Sequence, residues 1–355
     1  MAFETTESGI LLPKNYEIYV KPTEYQISER KLEGYKKLAE IKQFGIKYPT
    51  KFMKEFIGVE LLDAQEYTFM NSWTKPFVLW LESRAAGKTT LLALFTIIKG
   101  LLFNNYRTYI CSGTADQSQE TFKKIEDIAL KNIESMTGLT DVFKNEVEVS
   151  QANSNGFIHN PMGFTYRLYN GSFVKTLNSN INAKRGKRCE CVCFDEGGWL
   201  SEEEFNVIGA FTALNSNFKL GGDVDISALP SEFPHQLLYA SSASAVDTSF
   251  YNKYRDFSKK MFLGDPRYFV ADINCDIVIN ATFRGKLYPA SLLNKETVDT
   301  EMRNNPEKAL REYYNRFTQD GGIGQIIKRA LIVRNSYTRP PVLCNDNNQR
   351  KFVFA

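Results

Sequence analysis

Ser83-Arg84-Ala85-Ala86-Gly87-Lys88-Thr89-Thr90 follows the apolar run 77–81 and leads into the helix-like stretch 90–102. A buried strand that turns through glycine into a helix aims several free backbone N–H groups at one point. The helix dipole favours negative charge there. Lys88 is placed to reach outer phosphates, and the Thr89 hydroxyl to sit on Mg²⁺. Ser83, Arg84, Ala85, Ala86, Gly87, Lys88, Thr89 and Thr90 therefore read as a cradle for ATP. The usual pattern carries a glycine five residues before Gly87, where this chain has Glu82. The bland alternative, an ordinary lysine opening a helix, sets a cation against the dipole unless an anion is bound.

A second constellation is the run Cys191-Val192-Cys193-Phe194-Asp195-Glu196, a strand ending in two acids. Ligands of α/β sheets lie beyond the C-terminal ends of parallel strands. Asp195 is expected to hold Mg²⁺ and Glu196 to polarise water for in-line attack on a γ-phosphate. A polar turn after a strand is the competing reading, and Gly197-Gly198 is compatible with it. Between the two motifs lies Lys184-Arg185-Gly186-Lys187-Arg188. It is either a solvated basic loop or the source of an arginine for a neighbouring subunit's nucleotide. Ala240-Ser241-Ser242 ends a further strand, and its hydroxyls could sense the γ-phosphate or serve only in a turn.

The elements that must position these groups follow from the apolar pattern. Strands are expected at 77–81, 108–111, 172–177, 189–194, 237–240 and 268–273, and helices at 91–102 and after Thr114, whose spacing to Gln117 is that of a capping box. Strands alternating with helices argue for an α/β fold built on a parallel sheet. Residues 1–60 read as a helical leader rather than part of a sheet. Residues 145–165 and 220–234 read as loop, the region beyond Pro289 as helical and charged, and 338–350 as linker.

Composition narrows the class. The 355 residues are 43% hydrophobic and 24% charged, an ordinary globular balance. A net charge of +3 is too small to argue for nucleic acid by itself, so any basic surface must be local. No apolar run is long enough to span a membrane. Six cysteines and two histidines lack zinc spacing. Cys189, Cys191 and Cys193 alternate, which along a strand puts all three on one face as buried thiols of a reducing compartment.

Taken together, these features resemble the large terminase subunit of tailed bacteriophages, over roughly residues 56–330. Leu61-Leu62-Asp63-Ala64-Gln65 is similar to that family's adenine-reading glutamine motif, with Gln65 on the base. The segment 83–90 resembles its deviant phosphate loop, which lacks the first glycine and carries arginine second. Asn170-Gly171-Ser172, Arg185-Gly186 and 192–196 follow the family's approach to its acidic strand. Ala240-Ser241-Ser242 stands where the family has a coupling motif, and 310–317 resembles the segment closing its ATPase domain. Gly197-Gly198 departs from the pattern, since many members have Cys or Ala there.

The resemblance implies a P-loop NTPase of the ASCE, RecA-like type: a mostly parallel sheet flanked by helices, with a helical leader (1–55), an ATPase core (56–280), a small C-terminal subdomain (281–337) and a linker (338–355). It implies that the coupling-motif strand lies between the phosphate-loop strand and the acidic strand. It implies ATP and Mg²⁺ as cofactors and a Mg-dependent ATPase that drives double-stranded DNA into a procapsid. Arg185 would act in trans, with Arg188 as fallback, and Arg84 in cis or by shaping the loop. The expected partners are DNA, portal protein, the small terminase subunit and further copies in a ring, normally of five, in the host bacterial cytoplasm with no membrane. Family members usually continue into an RNase H-like nuclease domain, and this chain is expected to lack it and not to cut DNA. The competing classes are a superfamily-2 helicase or translocase, which needs a second RecA-like domain, and a non-catalytic ATP-holding module, in which the glutamate would be expected to be lost.

Overall fold

A computed structural model describes residues 3–5, 11–13, 28–130, 137–151, 153–177, 186–213, 235–290, 292–319 and 333–336. Arg185, the 220–234 loop and the 338–355 linker, all singled out above, lie outside them. Met1–Thr318 forms one compact unit and Gln319–Ala355 a second.

Two short strands, β1 (Phe3–Thr5) and β2 (Leu11–Pro13), pair antiparallel near the N-terminus. The leader is thus not helical throughout. Helix α1 (Glu29–Lys47) starts at Ser28, whose hydroxyl accepts from the Lys31 N–H. Helix α2 (Pro49–Phe52) runs into a π-helical turn, Met53–Ile57, that stops at left-handed Gly58, φ +75°. Then come α3 (Asp63–Ser72), β3 (Phe77–Glu82), α4 (Lys88–Leu102), β4 (Arg107–Cys111), α5 (Ala115–Leu130) and α6 (Thr137–Glu146). The expected capping box is present at α5: Thr114 and Gln117 exchange backbone-to-side-chain hydrogen bonds of 3.3 Å.

The chain continues through β5 (Thr165–Arg167), β6 (Phe173–Thr176), β7 (Cys191–Asp195), α7 (Glu202–Gly209), β8 (Gln236–Ser241), α8 (Ser249–Phe262) and β9 (Tyr268–Ile273). It ends, among these residues, with α9 (Cys275–Ile279), the small ribbon of β10 (Thr282–Phe283) and β11 (Lys286–Leu287), α10 (Lys295–Asn304) and α11 (Pro306–Glu312).

Seven strands form one sheet in the order β5-β6-β4-β7-β8-β3-β9. All pairs are parallel except β5 with β6. Strand β5 begins at Thr165, the last residue of the stretch expected to be loop. At three residues it is too short to show a period.

Strand β3 explains why the sheet has two cores. Its side chains alternate, sending Val78 and Trp80 to one face and Leu79 and Leu81 to the other. On the first face they meet Leu92, Phe95 and Ile98 of α4. On the second they join Phe194, Tyr239, Phe205 and Phe257. Covering both faces is what a parallel sheet requires. Helix α4 is buried from Leu91 to Leu102, which its nearly all-round apolar sequence anticipates.

Two expectations need correction. Besides the leader, the cysteine trio differs: strand β7 starts at Cys191, so Cys189 is not in the pleat. It packs in the second core, its N–H bonded to Phe211 O, while Cys191 and Cys193 face the first. The three cysteines therefore do not share a face. No helix among the described residues is long and apolar enough to cross a membrane.

Candidate active site

The C-terminal ends of β3, β8 and β7 bring the two motifs together. Strand β8 lies between the other two, pairing Leu81 with Ser241 and Asp195 with Ala240. This is the strand order that the terminase resemblance implies.

Between β3 and α4 the chain makes a tight loop. Ala85 and Gly87 are both left-handed, at φ +62° and +87°. Gly87 caps α4, so Lys88 is its first residue. Glycine is needed here for φ, and a Cβ would also come within 2.7 Å of the Gln65 amide nitrogen, so that side chain would have to shift. That amide donates to Ala86 O at 3.2 Å, and its oxygen accepts from the Leu62 N–H at 3.3 Å. Gln65 thus braces the loop from α3. From the other side, the Ser83 N–H donates to Ile273 O and the Arg84 N–H to Glu312 O. The Ser83 hydroxyl donates to Arg84 O at 3.2 Å.

Lys88 Nζ stands 2.8 Å from Glu196 Oε1. Ser241 donates to Glu196 Oε2 at 3.3 Å and accepts from the Gly198 N–H at 3.1 Å. Glu196 itself is left-handed, φ +51°, a strained backbone for a non-glycine residue at the strand end. Asp195 is buried beside it. One carboxylate oxygen accepts from the Glu196 N–H at 3.1 Å and the other from the Thr121 hydroxyl of α5. Burial raises the Asp195 pKa, and the Lys88 charge and the Thr121 bond oppose that rise. Each carboxylate oxygen has two lone pairs, so Asp195 keeps acceptor capacity for a cation or its water shell. That donor set fits Mg²⁺.

The remaining predicted residues are nearby but less engaged. Thr89 and Thr90 occupy the first turn of α4, and Thr89 borders an open groove lined along α5 by Glu120, Lys123 and Asp127. The Arg84 guanidinium points away from this cluster into an ion pair with Glu312, 2.9 Å from Nε to Oε2. Ser242, next in the chain after Ser241, is half-buried. Arg188, the fallback, donates to Lys187 O.

Sequence reasoning missed three groups. Thr121 lies on the apolar face of α5 beside Phe122, where a lone hydroxyl carries no signal. Thr121→Val is expected to lower stability by about 1–3 kcal/mol by orphaning a buried carboxylate oxygen. Thr121→Ser should retain most of it, and urea unfolding of both variants reads the difference. Glu312, the partner of Arg84, sits inside the 310–317 segment but has no local mark of that role. Glu82 reads in the sequence only as a missing glycine. It is a buried carboxyl, and burial pushes its pKa up to about 7 against the pull of Lys88.

No known family's sequence model matches this chain, and no curated protein sequence does. Solved structures do. The HK97 bacteriophage large terminase aligns with a TM-score of 0.51 at 14% identity, over 77% of this chain and 55% of that one. The fold is that of the aligned part of the HK97 large terminase. The large terminase of a thermophilic bacteriophage, solved in complex with ADP, aligns at 0.46 and 14% identity over 74% of this chain and 55% of its own. The ATPase domain of the Thermus phage P74-26 large terminase aligns at 0.46 and 15% identity over 76% and 98%. The chain thus spans about 55% of the length of the HK97 large terminase and of the ADP-bound one. In this terminase fold, the loop 83–88, Asp195, Glu196 and Ser241 share one edge of the sheet.

Proposed function

We propose that this chain hydrolyses ATP as the motor module of a DNA-packaging terminase. The observation that carries the reading is the meeting of Lys88 with Glu196, next to a left-handed glycine loop at the end of a parallel sheet. A lysine and a glutamate from motifs 108 residues apart converge on one point. Open N–H groups, a cation and an acid are the parts that γ-phosphate cleavage needs.

Each side chain then has a task. The N–H groups opening α4 bind phosphate oxygens, and Lys88 leaves Glu196 to join them. Freed, Glu196 orients and polarises the attacking water. Asp195 and Thr89 would hold Mg²⁺, which would supply charge neutralisation on the phosphate oxygens. Ser241, bonded to Glu196 and to the Gly198 N–H, links hydrolysis to the turn after β7 and is the candidate coupling residue, with Ser242 behind it. Arg84 is released from Glu312 or stays there to set the loop. Arg185 serves the neighbouring subunit's nucleotide, Arg188 being the fallback. The partners in this reading are double-stranded DNA, the portal, the small subunit and other copies in a ring.

Mixing subunits tests the trans arginine. Arg185→Ala keeps an intact pocket, and Lys88→Ala keeps Arg185. Each alone should be inactive, and mixtures should regain hydrolysis. No recovery at any ratio in an assembled ring overturns the Arg185 assignment. An unassembled subunit should hydrolyse ATP on the order of a thousandfold more slowly than the ring, by analogy with arginine fingers. Purified protein titrated from nanomolar to micromolar concentration reads this directly.

A further inference from the structure

The ribbon of β10 and β11 grips the entry to α3. Its two-residue turn is Arg284-Gly285, both left-handed, at φ +52° and +73°. Two left-handed residues make the tight turn that suits hairpin twist, and an arginine there is uncommon. The turn aims both of its N–H groups at one carboxylate. The Arg284 N–H donates to Asp63 Oδ1 and the Gly285 N–H to Asp63 Oδ2, each at 2.8 Å. Hydrogen bonds from the Thr282 side chain and from these two N–H groups hold the Asp63 carboxyl below its ordinary pKa. Beside it the Arg284 guanidinium takes Glu60, with Nε to Oε2 at 3.0 Å and Nη2 to Oε1 at 2.6 Å. A two-stranded hairpin on its own is marginal in water. These contacts, 221 and 224 residues apart in the chain, fix it against the start of α3.

Asp63 is the first residue of α3 and Gln65 the third. Gln65 spans the junction with the phosphate loop: its oxygen accepts from the Leu62 N–H, and its amide donates to Ala86 O. The placement of that amide depends on the first turn of α3, which the hairpin holds. We propose that Asp63 is a positioning residue for phosphate binding: clasped by the Arg284-Gly285 turn, it fixes the start of α3 so that Gln65 keeps the loop 83–88 in its anion-accepting shape. The inference rests on reading that loop as a phosphate site. The effect is preorganisation, since a loop already held in its binding shape loses less freedom when the ligand arrives. A carboxylate that only favoured the N-terminus of α3 through the helix dipole would stabilise the fold and leave phosphate affinity alone. The two roles differ in whether Asp63 acts through Gln65.

Calorimetric titration of the full chain with tripolyphosphate, across a double-mutant cycle, tests this. Asp63→Ala and Gln65→Ala should each weaken binding about fivefold, the net worth of one neutral hydrogen bond. The double variant should also bind only about fivefold more weakly than wild type, because Asp63 has no effect once Gln65 is gone. Asp63→Asn can accept from only one of the two N–H groups, so it should fall between Asp63→Ala and wild type. It takes the place of alanine in the cycle if the alanine variant folds poorly. Urea unfolding of each variant reads its stability separately. Losses that multiply to about 25-fold in the double variant overturn the proposal. So does a loss in Asp63→Ala that Gln65→Ala does not share. So does an Asp63→Ala that unfolds earlier in urea yet binds tripolyphosphate like wild type. Wild type that fails to bind tripolyphosphate removes the phosphate-site reading itself, and the proposal with it.

Discussion

Glu196→Gln is expected to keep nucleotide and lose hydrolysis by two to four orders of magnitude, the usual worth of a positioned general base. The amide preserves shape and can still accept from Ser241, so the fold around β7 should hold. It cannot take a proton from water. It also cannot hold Lys88 by charge. In the wild-type structure these two groups form an ion pair at 2.8 Å, with the lysine side chain only 10% exposed. Nucleotide must break that pair before Lys88 can serve phosphate. The variant should therefore bind ATP at least as tightly as wild type while turning it over far more slowly. Fluorescent-nucleotide binding and phosphate release, measured on one preparation, separate the two effects. Undiminished turnover would remove Glu196 from the role of base. Weakened binding would show that the ion pair organises the site rather than blocking it.

The second large effect concerns stability. Lys99 of α4 is fully buried, and burial pushes its pKa from 10.5 down to about 7. Its Nζ donates to Trp73 O at 2.6 Å and lies 4.3 Å from the Trp73 ring centroid, with Phe95, Phe103 and Tyr106 around it. The unfolded chain binds this proton up to about pH 10.4, the folded chain only up to about 7. Between those values the unfolded state holds more protons, so this group's contribution to stability rises with pH. Below pH 7 both states are protonated and the full penalty remains. Lys99→Met keeps the length and removes the charge. Gln236 still donates to Trp73 O, so that carbonyl is not orphaned.

The methionine variant should be more stable than wild type at pH 7. Its advantage should shrink by about 1.4 kcal/mol for each pH unit from 7 toward 10. Urea unfolding of both proteins across that range isolates the lysine, because the neighbouring cysteines and tyrosines titrate in both. A difference independent of pH would mean that Lys99 stays charged in the fold, held by its carbonyl and the aromatic rings.

Much of the candidate site is legible in the sequence because its signals are local. A strand, a left-handed glycine and a helix start are dictated by a few adjacent residues, and Gly87-Lys88-Thr89 carries all three. The acids after β7 read equally well, since an apolar run ending in Asp195-Glu196 has one sensible place in an α/β sheet. The five parallel-paired strands beyond β3 are visible in their apolar content, to within two residues at each end. The boundary errors have physical causes. Cys189 continues the apolar alternation of β7, but its N–H is taken by Phe211 O, so the ladder begins later. Strand β5 is an edge strand of three residues whose pairing with β6 a local window does not contain.

What the sequence alone determined about this protein is the kind of site: phosphate loop, acidic strand, and the hydroxyls of Ser241 and Ser242. What only the tertiary structure decided is who holds whom. Arg84 turns to Glu312, 228 residues away, rather than into the loop. Asp195 is held by Thr121, Gln65 by Ala86, and Lys88 by Glu196. Glu82 changes from a missing glycine to a buried acid. Local spacing sets backbone geometry, because φ, ψ and capping depend on neighbouring residues. Side-chain partnership depends on which elements lie side by side: the order β7-β8-β3 sets Glu196 beside Lys88 and Ser241, while α11, α5 and α3 supply Glu312, Thr121 and Gln65.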